Sequence, residues 1–405
     1  MLQPEKNMST GEKLQSYYCD MHIHIGRTSS GQAVKISASN NLTFENIAVE
    51  ASERKGIQMI GIIDCHSPSV QHDILQCLDS GVMQEIDGGG IAYQDTVILL
   101  GSEIEIRESG RGAAHVLAYF PDLNTIQEFS VWMAKYMKNV QLSSQRIYVS
   151  PRELQQEILD RGGLLIPAHV FTPHKGLYGS MADRMSEVLD LNGIAGIELG
   201  LSADSSMAGR ISELDAYSFL TNSDAHSLGK IGREYNRIDM AKPSFTEFRQ
   251  ALATSNGRRI SANYGLNPRL GKYHRTYCGG CDSILEEGRD IHELVRCPYC
   301  GSTKLVQGVF DRILNIADRK EPMVPQSRPA YHYQVPLEFI PGLGKSSMSK
   351  LLGAFGTEMH ILHQATEAEL AAVAGEGLAA SIVMARNGTL SLSDGGGGSY
   401  GKVLR

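Results

Sequence analysis

Two histidines near the start of the chain are spaced for joint metal binding. His22 and His24 lie at the end of an apolar, strand-like run over residues 16–25. Residues two apart in a strand share a face, so both imidazoles could reach one metal ion. His-x-His alone is weak evidence, because a lone histidine is as often an ordinary surface or core residue.

Further residues of metal-ligand type recur where other apolar runs begin or end. The candidate ligands are His22, His24, Asp64, His66, Glu103, His115, His169, Asp224 and His226. Each has an ordinary alternative role, such as helix capping by an aspartate. Together, imidazoles and carboxylates with almost no thiolate favour divalent ions such as Zn, Mn, Mg or Fe. Such ions lower the pKa of bound water and neutralise charge on a phosphoryl oxygen, so the set indicates phosphate-ester hydrolysis.

The segments between these residues alternate between strand and helix patterns. Strands are predicted at 59–63, 97–100, 116–120, 164–166, 196–199 and 219–221, and helices at 42–55, 151–161 and 245–254. Strands that alternate with helices predict an α/β fold with a parallel sheet or a β/α barrel. The carboxyl ends of the strands meet at one face of such a fold, which would bring the candidate ligands together.

Length and composition set broad limits on the function. The chain has 405 residues and a formal net charge of −7 at pH 7, so a surface that binds nucleic acid would have to be local. No apolar run approaches the ~18–20 residues of a membrane span, and no apolar signal core follows the N-terminus. We therefore expect a cytoplasmic, nucleoid-associated protein whose residues 1–15 form a flexible leader.

Four of the seven cysteines form two Cys-x2-Cys pairs. Cys278 and Cys281 are separated from Cys297 and Cys300 by the spacing of a zinc ribbon, which is predicted to span residues 266–310. Four thiolates leave no open coordination position, so the expected role of this zinc is structural. The other three cysteines are scattered in apolar surroundings, which fits a reducing compartment better than a disulfide framework.

Basic and aromatic side chains are interleaved just before the first cysteine pair. The segment contains Arg269, Lys272, Tyr273 and Arg275. Such residues can pair with phosphates and stack on an exposed base, although a polar linker between domains is the plainer alternative. Lys175 and Arg233, on predicted loops of the first domain, are further candidate phosphate contacts, and solvated surface charges would explain them equally well.

The last part of the chain contains two glycine-rich turns, after a predicted linker at residues 311–336. The turns contain Gly342, Gly344 and Lys345 in the first copy and Gly375 and Gly377 in the second. Each turn precedes an apolar-periodic helix and resembles the helix-hairpin-helix, which binds DNA phosphates through backbone amides. A hairpin with glycine caps or a protein-binding pair is the alternative. This all-α domain is predicted at 337–387, followed by a disordered tail at 388–405.

The motifs before residue 265 resemble the PHP (polymerase and histidinol phosphatase) superfamily. The matching positions are Asp20-Met-His22-Ile-His24, Asp64-Cys-His66, Gly101-Ser-Glu103, His115, His169 and Ser223-Asp224-Ala-His226. The resemblance implies a distorted β/α barrel over residues 16–265, up to three metal ions, the nine candidate residues as ligands and Glu103 as a bridge. Residues 26–34 lack the additional His or Asp of many relatives. The third metal shell is then incomplete or completed by Asp64, and the choice between Asp64 and His66 stays open.

The order of PHP domain, four-cysteine ribbon and helical hairpins resembles the endonuclease Q group over residues 16–390. The resemblance implies a DNA repair endonuclease that cuts duplex DNA 5′ of deaminated bases (uracil, hypoxanthine, xanthine) or abasic sites. A sliding clamp or a helicase is a further candidate partner, and no small-molecule cofactor beyond the metals is expected. A PHP phosphatase of small phosphomonoesters and a non-catalytic DNA-damage-binding protein are the alternative functions.

For the endonuclease we expect in-line attack on phosphorus by metal-activated water, which leaves 3′-hydroxyl and 5′-phosphate ends. Asp224 and Glu103 would fix the metals and orient the water. His226 or His169 would assist proton transfer to the leaving oxygen. The modified base would leave the stack for a pocket between barrel and ribbon, which costs less for a mismatched base than for a paired one.

Overall fold

The computed structural model of the chain describes residues 13–285, 294–393, 395 and 399–403. Most of the predicted leader, residues 1–12, and part of the predicted ribbon, residues 286–293, lie outside the described residues. Within the described ranges, no helix combines the length and the apolar character that crossing a membrane requires.

Fifteen strands are described. They are β1 (Gln15–Ile23), β2 (Met59–Ile62), β3 (Gln84–Glu85), β4 (Ile91–Tyr93), β5 (Thr96–Arg107), β6 (Ala113–Phe120), β7 (Leu164–Pro167), β8 (Ile197–Glu198), β9 (Phe219–Leu220), β10 (Tyr235–Met240), β11 (Arg259–Gly265), β12 (Tyr277–Cys278), β13 (Ser283–Ile284), β14 (Leu305–Val306) and β15 (Ala330–Tyr333). Among the described residues, ten of these strands form one mixed sheet. β8 and β9 form a separate parallel pair.

The main sheet has the order β15-β11-β10-β1-β2-β5-β4-β3, with β6 on β5 and β7 on β6. Its central strands β1, β2 and β5 are parallel. The pairs β5–β6, β6–β7, β1–β10 and β10–β11 are antiparallel. The predicted α/β class with a distorted barrel is confirmed. Most pairs outside the centre are antiparallel because, for example, a short turn joins β5 directly to β6, where a helical crossover would be needed to keep the strands parallel.

Within the described ranges, seven α-helices precede the C-terminal region. They are α1 (Phe44–Val49), α2 (Pro68–Asp79), α3 (Leu123–Met133), α4 (Pro151–Asp160), α5 (Ser205–Ala208), α6 (Phe245–Leu252) and α7 (Val309–Ile316). Their starts follow the capping signals of the sequence, as at α4, where Ser150 accepts a hydrogen bond from the N–H of Glu153. α1 continues as a π-helical segment, Glu50–Lys55, which Gly56 ends with a φ of 74°.

Short helical turns complete the connections of the chain. A second π-helical segment spans Leu177–Met181. Turns of 3-10 helix lie at Met185–Glu187, Leu191–Gly193, Ser212–Leu214, Leu228–Lys230, Pro268–Leu270 and Leu337–Phe339. Several of these turns belong to the loops that follow β7, β8 and β9, at the edge of the sheet where the candidate ligands were expected.

Both faces of the main sheet are buried. Alternate residues of the central strands pack to opposite sides, with Ile60 and Ile98 in the core that contains α1 to α4. Met59 and Leu99 belong to the second core, under α6. A sheet covered on both faces explains why these strands are continuous apolar runs in the sequence. The polar side chains near the strand ends are therefore exceptions that need a separate explanation.

The segment predicted as a linker at 311–336 is partly regular structure. Its first residues belong to α7. Its last residues form β15, which pairs in parallel with β11 and extends the main sheet. Pro329 immediately precedes this strand, and prolines are tolerated at the start of an edge strand because no ladder hydrogen bond is lost there.

The C-terminal helices are α8 (Lys345–Phe355), α9 (Glu358–His363), α10 (Glu367–Ala374) and α11 (Glu376–Arg386). They contact the barrel through polar bonds as well as apolar packing. Lys55 Nζ lies 2.9 Å from Glu358 Oε2, and the hydroxyl of Tyr235 lies 2.6 Å from Nε2 of His363. Both contacts are buried or nearly so, and they hold the helical region against the sheet edge.

The tail at 388–405, predicted to be disordered, folds back onto the barrel where it is described. Leu392 and Val403 form an antiparallel bridge, and the N–H of Gly401 donates to the carbonyl of Leu270 at 3.0 Å. A Cβ on Gly401 would lie 2.1 Å from the carbonyl oxygen of Ser393, so only glycine permits this close approach. In this segment glycine therefore allows close packing of the backbone. Residues 394, 396–398 and 404–405 lie outside the described residues.

Candidate metal centre

Most of the candidate ligands converge beside the parallel centre of the sheet. His22 lies in β1 and His24 directly after it, and both are fully buried. Glu103 and His115 were expected at a strand end and a strand start, but each lies inside a longer strand, β5 and β6 respectively. These two strands pair antiparallel, which brings both side chains to the same edge of the barrel.

Two candidate ligands on loops adopt left-handed backbone conformations. His169 follows β7 with a φ of 29°, and Asp224 follows β9 with a φ of 46°. Residues other than glycine rarely adopt positive φ, and such positions cluster at functional sites, where the surrounding structure enforces them. Here the conformation turns His169 toward Glu103 and Asp224 toward His22.

The first donor group contains four side chains from three parts of the chain. His22 Nε2 lies 3.6 Å from Glu103 Oε1 and 3.5 Å from Asp224 Oδ1. His24 Nε2 lies 3.6 Å from Glu103 Oε2 and 3.4 Å from Asp224 Oδ1. Two donors on one tetrahedral ion at ~2.0–2.1 Å are ~3.3 Å apart, so these separations suit a shared divalent ion.

The second donor group shares Glu103 with the first. Glu103 Oε1 lies 2.8 Å from Nδ1 of His115 and 3.2 Å from Nε2 of His169. The donor atoms of these three residues lie within 4.8 Å of one another. Since one carboxylate belongs to both groups, the position of Glu103 fits the bridging role that the resemblance implies.

Several buried nitrogens in this cluster have no hydrogen-bond partner among the described residues. They are Nε2 of His22, of His24 and of His115, and Nδ1 of His169. Buried polar atoms are almost always hydrogen-bonded, so a convergent set of unpaired ones requires an explanation. Divalent ions held by imidazole and carboxylate would satisfy them, and the residues present therefore fit a metal centre.

A third group consists of His24, Asp224 and His226. Nδ1 of His226 lies 3.0 Å from the backbone carbonyl oxygen of Asp224. Nε2 does not take part in this hydrogen bond. Burial, together with the neighbouring His24, lowers the pKa of His226 to about 4. The imidazole is therefore neutral at neutral pH.

Asp64 and His66, the pair left open by the sequence, both stand outside these three groups of the described residues. Asp64 Oδ2 accepts a hydrogen bond from the N–H of Ile25 at 2.8 Å and lies 3.1 Å from Nδ1 of His24. His66 Nδ1 lies 2.9 Å from the hydroxyl of Ser102. Asp64 therefore orients the ligand His24, and His66 belongs to the hydrogen-bonded surroundings of the cluster.

Glu198 is a functional residue that the sequence interpretation missed. It is 1% exposed, and its Oε2 lies 2.9 Å from Nδ1 of His22. Its Oε1 accepts the backbone N–H of His169 at 3.0 Å, and Asn222 donates to its Oε2 at 2.8 Å. A carboxylate two residues before Gly200, in an otherwise apolar predicted strand, was the signal that could have revealed it.

Lys35 and two loop serines also reach the cluster without having been predicted. Lys35 Nζ lies 3.3 Å from Glu103 Oε2 and 2.5 Å from the hydroxyl of Ser144. Ser143 Oγ lies 3.2 Å from Nδ1 of His24. These residues belong to irregular segments, where periodicity carries no information about side-chain direction.

The cluster is electrostatically arranged to bind cations. Burial would raise the pKa of Glu103, but the charges of His115 and Lys35 outweigh burial and hold that pKa well below its usual value. Burial would likewise raise the pKa of Asp224, but the charge of His22 outweighs burial and holds that pKa well below its usual value. Burial would lower the pKa of His22, yet Glu198 and Asp224 raise it to about 10. The carboxylates are thus ionised at neutral pH, and the site favours positive charge.

The four cysteines of the ribbon also form a donor group. Sγ of Cys278 lies 3.7 Å from that of Cys300, and Sγ of Cys281 lies 3.7 Å from that of Cys297. These distances exclude disulfides, whose S–S length is ~2.05 Å, and match the ~3.8 Å between thiolates at ~2.3 Å from a tetrahedral zinc. The N–H of Gly280 points at Sγ of Cys278 at 3.3 Å, as expected in a zinc knuckle.

A cavity of about 580 Å³ opens onto the cluster. His169, Asp224 and His226 lie on its floor. The predicted phosphate or base contacts Arg233, Lys272 and Tyr273 lie on its walls. The tail adds Tyr400, which was not predicted, and Lys272 Nζ lies 4.6 Å from the centre of its ring.

Arg233 connects this wall to the metal ligands. Its Nε donates to the carbonyl of Ser223 at 2.7 Å, and a second nitrogen lies 3.3 Å from the carbonyl of Asp224. A third donates to the hydroxyl of Tyr400 at 2.7 Å. The guanidinium therefore supports the loop that presents Asp224, as well as bringing positive charge to the cavity.

Three other predicted DNA contacts lie away from the cavity walls. Lys175 Nζ pairs with Glu105 Oε2 at 2.7 Å, and Arg269 is exposed beside the tail. Arg275 is a correction, because it is only 6% exposed and pairs with Asp311 at 3.4 Å. A buried, paired guanidinium has a structural role, and its burial was not visible in a segment of alternating basic and aromatic residues.

Both glycine-rich turns are exposed and open. Gly342 and Gly375 have φ values of 88° and 87°, a conformation that glycine adopts without strain. A Cβ at Gly342, Gly344, Gly375 or Gly377 would meet no atom of the described residues within 4 Å. The turns at the starts of α8 and α11 are therefore accessible to a ligand that approaches the backbone, and Lys345 is exposed beside the first of them.

No protein-family model matches the chain. The chain is 50% identical over 392 residues to the uncharacterized protein YqxK of Bacillus subtilis (strain 168), an alignment that covers 96% of this chain and 100% of that one.

Two solved structures are similar over nearly the whole chain. The crystal structure of the lesion-specific endonuclease PfuEndoQ from Pyrococcus furiosus matches with a TM-score of 0.82 and 32% identity, over 96% of this chain and 95% of that chain. Endonuclease Q in complex with a 27-mer duplex substrate with an abasic lesion at the active site matches with a TM-score of 0.83 and 32% identity, over 96% of both chains. With barrel, ribbon and C-terminal helices all included in these matches, the chain belongs to the endonuclease Q family.

Proposed function

We propose that this protein is a metal-dependent DNA endonuclease that cuts the backbone beside base lesions. The observation that carries the proposal is the position of the Glu103 carboxylate. Its Oε1 lies within 3.6 Å of imidazole nitrogens from both donor groups. This shared carboxylate lies beneath a cavity with basic and aromatic walls. The likeness to an endonuclease bound to a duplex with an abasic lesion supports DNA as the substrate.

Each part of the metal centre has a proposed role. Divalent ions bound there would supply water of lowered pKa and positive charge for phosphoryl oxygens. Glu103 bridges the two donor groups and fixes their separation. Asp224 has a side chain that is 32% exposed, so it can hold a ligand position and also orient a water molecule in the cavity. Arg233 keeps the Asp224 loop in place through the carbonyl groups that it binds.

His226 is better suited to accept a proton than to donate one. Its pKa of about 4, lowered chiefly by burial, leaves the ring neutral at neutral pH. Its Nδ1 is occupied by the carbonyl of Asp224, so the lone pair is on Nε2. We infer that His226 takes the proton of the attacking water. In-line attack forms the new P–O bond and breaks the bond from phosphorus to the 3′ oxygen, which takes a proton from solvent in the cavity, so the products end in a 3′-hydroxyl and a 5′-phosphate.

The cavity would receive the damaged nucleotide after it leaves the helical stack. Lys272 covers the ring of Tyr400, and Tyr273 lies on the same wall. Aromatic faces of this kind stack on bases without regard to sequence, and lysine can bind a flanking phosphate. A damaged or mismatched base costs less to unstack than a paired one, which gives the site its selectivity for lesions.

The two glycine-rich turns would hold undamaged duplex on either side of the lesion. Their open backbones allow amide groups at the starts of α8 and α11 to approach phosphates. Phosphate contacts position a protein on DNA without reading its sequence. This role fits a chain whose net charge is −7, because the DNA contacts are local and partly made by neutral amides.

The proposed substrates are abasic sites and the deaminated bases uracil, hypoxanthine and xanthine, with the cut on the 5′ side. The test is cleavage of labelled duplexes that carry one abasic site, one deoxyuridine or no lesion, with Mg, Mn or Zn supplied. We expect one cut immediately 5′ of each lesion and none in the undamaged duplex.

Two variants serve as controls for this experiment. Asp224→Ala should abolish cleavage, whereas Lys175→Ala should leave it near the wild-type level because Lys175 pairs with Glu105 outside the cavity walls. Wild-type cleavage by Asp224→Ala with the metal content intact would refute the catalytic assignment. Lesion binding without cleavage under any metal would indicate a damage-binding protein, and hydrolysis of free phosphomonoesters alone would indicate a phosphatase.

A further inference from the structure

Ile36 is an exposed apolar residue at the edge of the cavity that opens onto the metal centre. It is 80% exposed, more than any other large apolar residue of the described ranges. Ser37 and Ser39 lie on the cavity wall, whereas Ile36 is not among the described wall residues. On the other side in the chain, Lys35 Nζ lies 3.3 Å from Glu103 Oε2. Ile36 therefore lies between a residue of the metal centre and a residue of the cavity wall, with its side chain in solvent.

The backbone position of Ile36 is unusual for a β-branched apolar residue. The N–H of Ala38 donates to the carbonyl of Lys35 at 3.0 Å, so Ile36 and Ser37 are the central residues of a tight turn. Such positions favour glycine, proline, asparagine, aspartate and serine. Single apolar residues are common on protein surfaces. An isoleucine that neither turn geometry nor packing requires, at the edge of a functional cavity, calls for a role in binding.

Backbone bonds hold this turn in place. The N–H of Lys35 donates to the carbonyl of Ile25 at 2.9 Å, and the N–H of Ser39 donates to the carbonyl of His226 at 2.9 Å. The ammonium of Lys35 donates to the Ser144 hydroxyl at 2.5 Å. The turn is thus tied to the end of β1 and to the loop of the proposed proton acceptor. It presents the side chain at its centre in a fixed position relative to the metal ligands.

A nucleotide that leaves the helical stack creates a gap that an apolar side chain can fill. Proteins that distort duplex DNA insert such side chains between neighbouring bases. Burial of the isoleucine surface in the gap offsets part of the free energy that unstacking costs. Lys35 lies at the metal centre, where the phosphate would be cut, and Ser37 lies on the wall that would surround the extruded nucleotide. The base step that Ile36 faces is then the one between the lesion and its 5′ neighbour.

We propose that Ile36 is a wedge that enters the DNA stack between the lesion and its 5′ neighbour and keeps the extruded nucleotide from returning. The inference deepens the proposed function and rests on it, since it names a residue that favours extrusion at the same site. The effect of the wedge is largest for a lesion in a stable base pair. It is smallest for a lesion that is already unpaired, because less free energy is then needed to extrude it.

The first test compares kcat/KM of the wild-type protein and Ile36→Ser on three duplexes, with deoxyuridine opposite adenine, opposite guanine or in an unpaired loop. Opposite adenine we expect a loss of about 10- to 100-fold, the factor that corresponds to burial of one isoleucine side chain. The loss should be smaller opposite guanine and smallest in the loop. Equal losses on the three duplexes, or none on any of them, would overturn the proposal.

Two further variants separate the apolar bulk of Ile36 from a general effect of a surface substitution. Ile36→Leu keeps the bulk and should retain most of the cleavage opposite adenine. Val131→Ser is the matched control, because Val131 is 67% exposed on α3 and lies outside the described cavity walls. It should cut all three duplexes like the wild type. A loss in Val131→Ser equal to that in Ile36→Ser would contradict a specific role for Ile36.

The second test observes the DNA and needs no cleavage. The duplex carries 2-aminopurine directly 5′ of the lesion, and its fluorescence increases when the base loses its stacking neighbour. Saturating Asp224→Ala protein should raise this fluorescence, and the double variant with Ile36→Ser should not. The same rise with both proteins, or with neither, would overturn the wedge. Absence of cleavage by the wild type on every duplex would instead refute the proposed function, and the fluorescence would still decide the role of Ile36.

Discussion

Nδ1 of His22 lies 2.9 Å from Oε2 of Glu198, and this pair decides which ring nitrogen of His22 faces the metal cluster. Glu198 also accepts the backbone N–H of His169, so one buried carboxylate orients a ligand of each of the two main donor groups. Carboxylates behind metal-binding histidines fix the tautomer and the ring orientation and raise the basicity of the ligand. Glu198 is therefore as much a part of the centre as its direct ligands.

Glu198→Gln should weaken metal binding without unfolding the protein. The amide keeps the size of the side chain but loses the charge that supports His22, and losses of this kind typically cost ~10–100-fold in metal affinity. Competition with a chelator would measure the affinity. Glu157→Gln is the matched control, because Glu157 only forms a surface pair with Arg161. Equal metal affinity of Glu198→Gln and wild type would contradict the assignment.

Tyr400→Ala should impair cleavage at base lesions more than at abasic sites. Stacking of a base on an aromatic side chain contributes ~1–3 kcal/mol, which corresponds to about 5- to 150-fold, and an abasic site has no base to stack. The measurement is kcat/KM on a deoxyuridine duplex and on an abasic duplex. Tyr400→Phe keeps the ring and should stay close to wild type.

A different outcome for Tyr400→Ala would indicate a different role. Arg233 donates to the Tyr400 hydroxyl and also supports the loop of Asp224. If Tyr400 only steadied Arg233, both Tyr400→Ala and Tyr400→Phe would lower cleavage of the two substrates by the same factor. Equal losses would therefore remove the stacking role and leave the metal centre assignment untouched.

Lys345→Ala should weaken DNA binding in proportion to one lost phosphate contact. Lys345 is exposed at the first residue of α8, beside the open turn of Gly342 and Gly344. Loss of one phosphate contact lowers affinity uniformly across sequences and reduces the slope of log K against log salt by about 1. Lys350→Ala, at an exposed position further along the same helix, is the control and should retain the wild-type slope.

The sequence indicated which candidate ligands would meet. His22, His24, Glu103, His115, His169 and Asp224 were all predicted as ligands, and their side chains converge in the structure. Their positions near the boundaries of apolar runs pointed to one edge of the sheet, although Glu103 and His115 lie inside β5 and β6 rather than at a strand end and a strand start. Glu198 also lies at the end of a strand, but the sequence pattern of that strand was interpreted as wholly apolar.

Other parts of the site could not be predicted because their positions depend on long-range packing. Lys35 and Ser144 reach Glu103 through loops whose shape is set by backbone bonds between distant segments. Arg275 was expected on the surface, and only the contact with Asp311 shows that it is buried. Tyr400 lies in a glycine-rich tail, a composition that indicates disorder unless a groove on the barrel accepts it.

Glu234 predicts a pH dependence of stability that is independent of the metals. The side chain is fully buried, its Oε1 accepts the N–H of Leu266 at 2.6 Å, and its Oε2 has no partner among the described residues. Burial raises the pKa of Glu234 from its ordinary value of 4.5 to about 8. Between these two values the folded state holds a proton that the unfolded state has lost.

The free energy of unfolding should therefore fall as the pH rises from 4.5 to 8, because the folded state binds more protons than the unfolded one. The slope for one group is at most ~1.4 kcal/mol per pH unit. Glu234→Gln removes this dependence, so its stability relative to wild type should increase by ~2 kcal/mol between pH 6 and 8. Urea unfolding of both proteins at each pH gives this difference, in which the titration of other groups cancels. Parallel stability curves would show that Glu234 is ionised in the folded state, and a water or a further donor at Oε2 would then have to be sought.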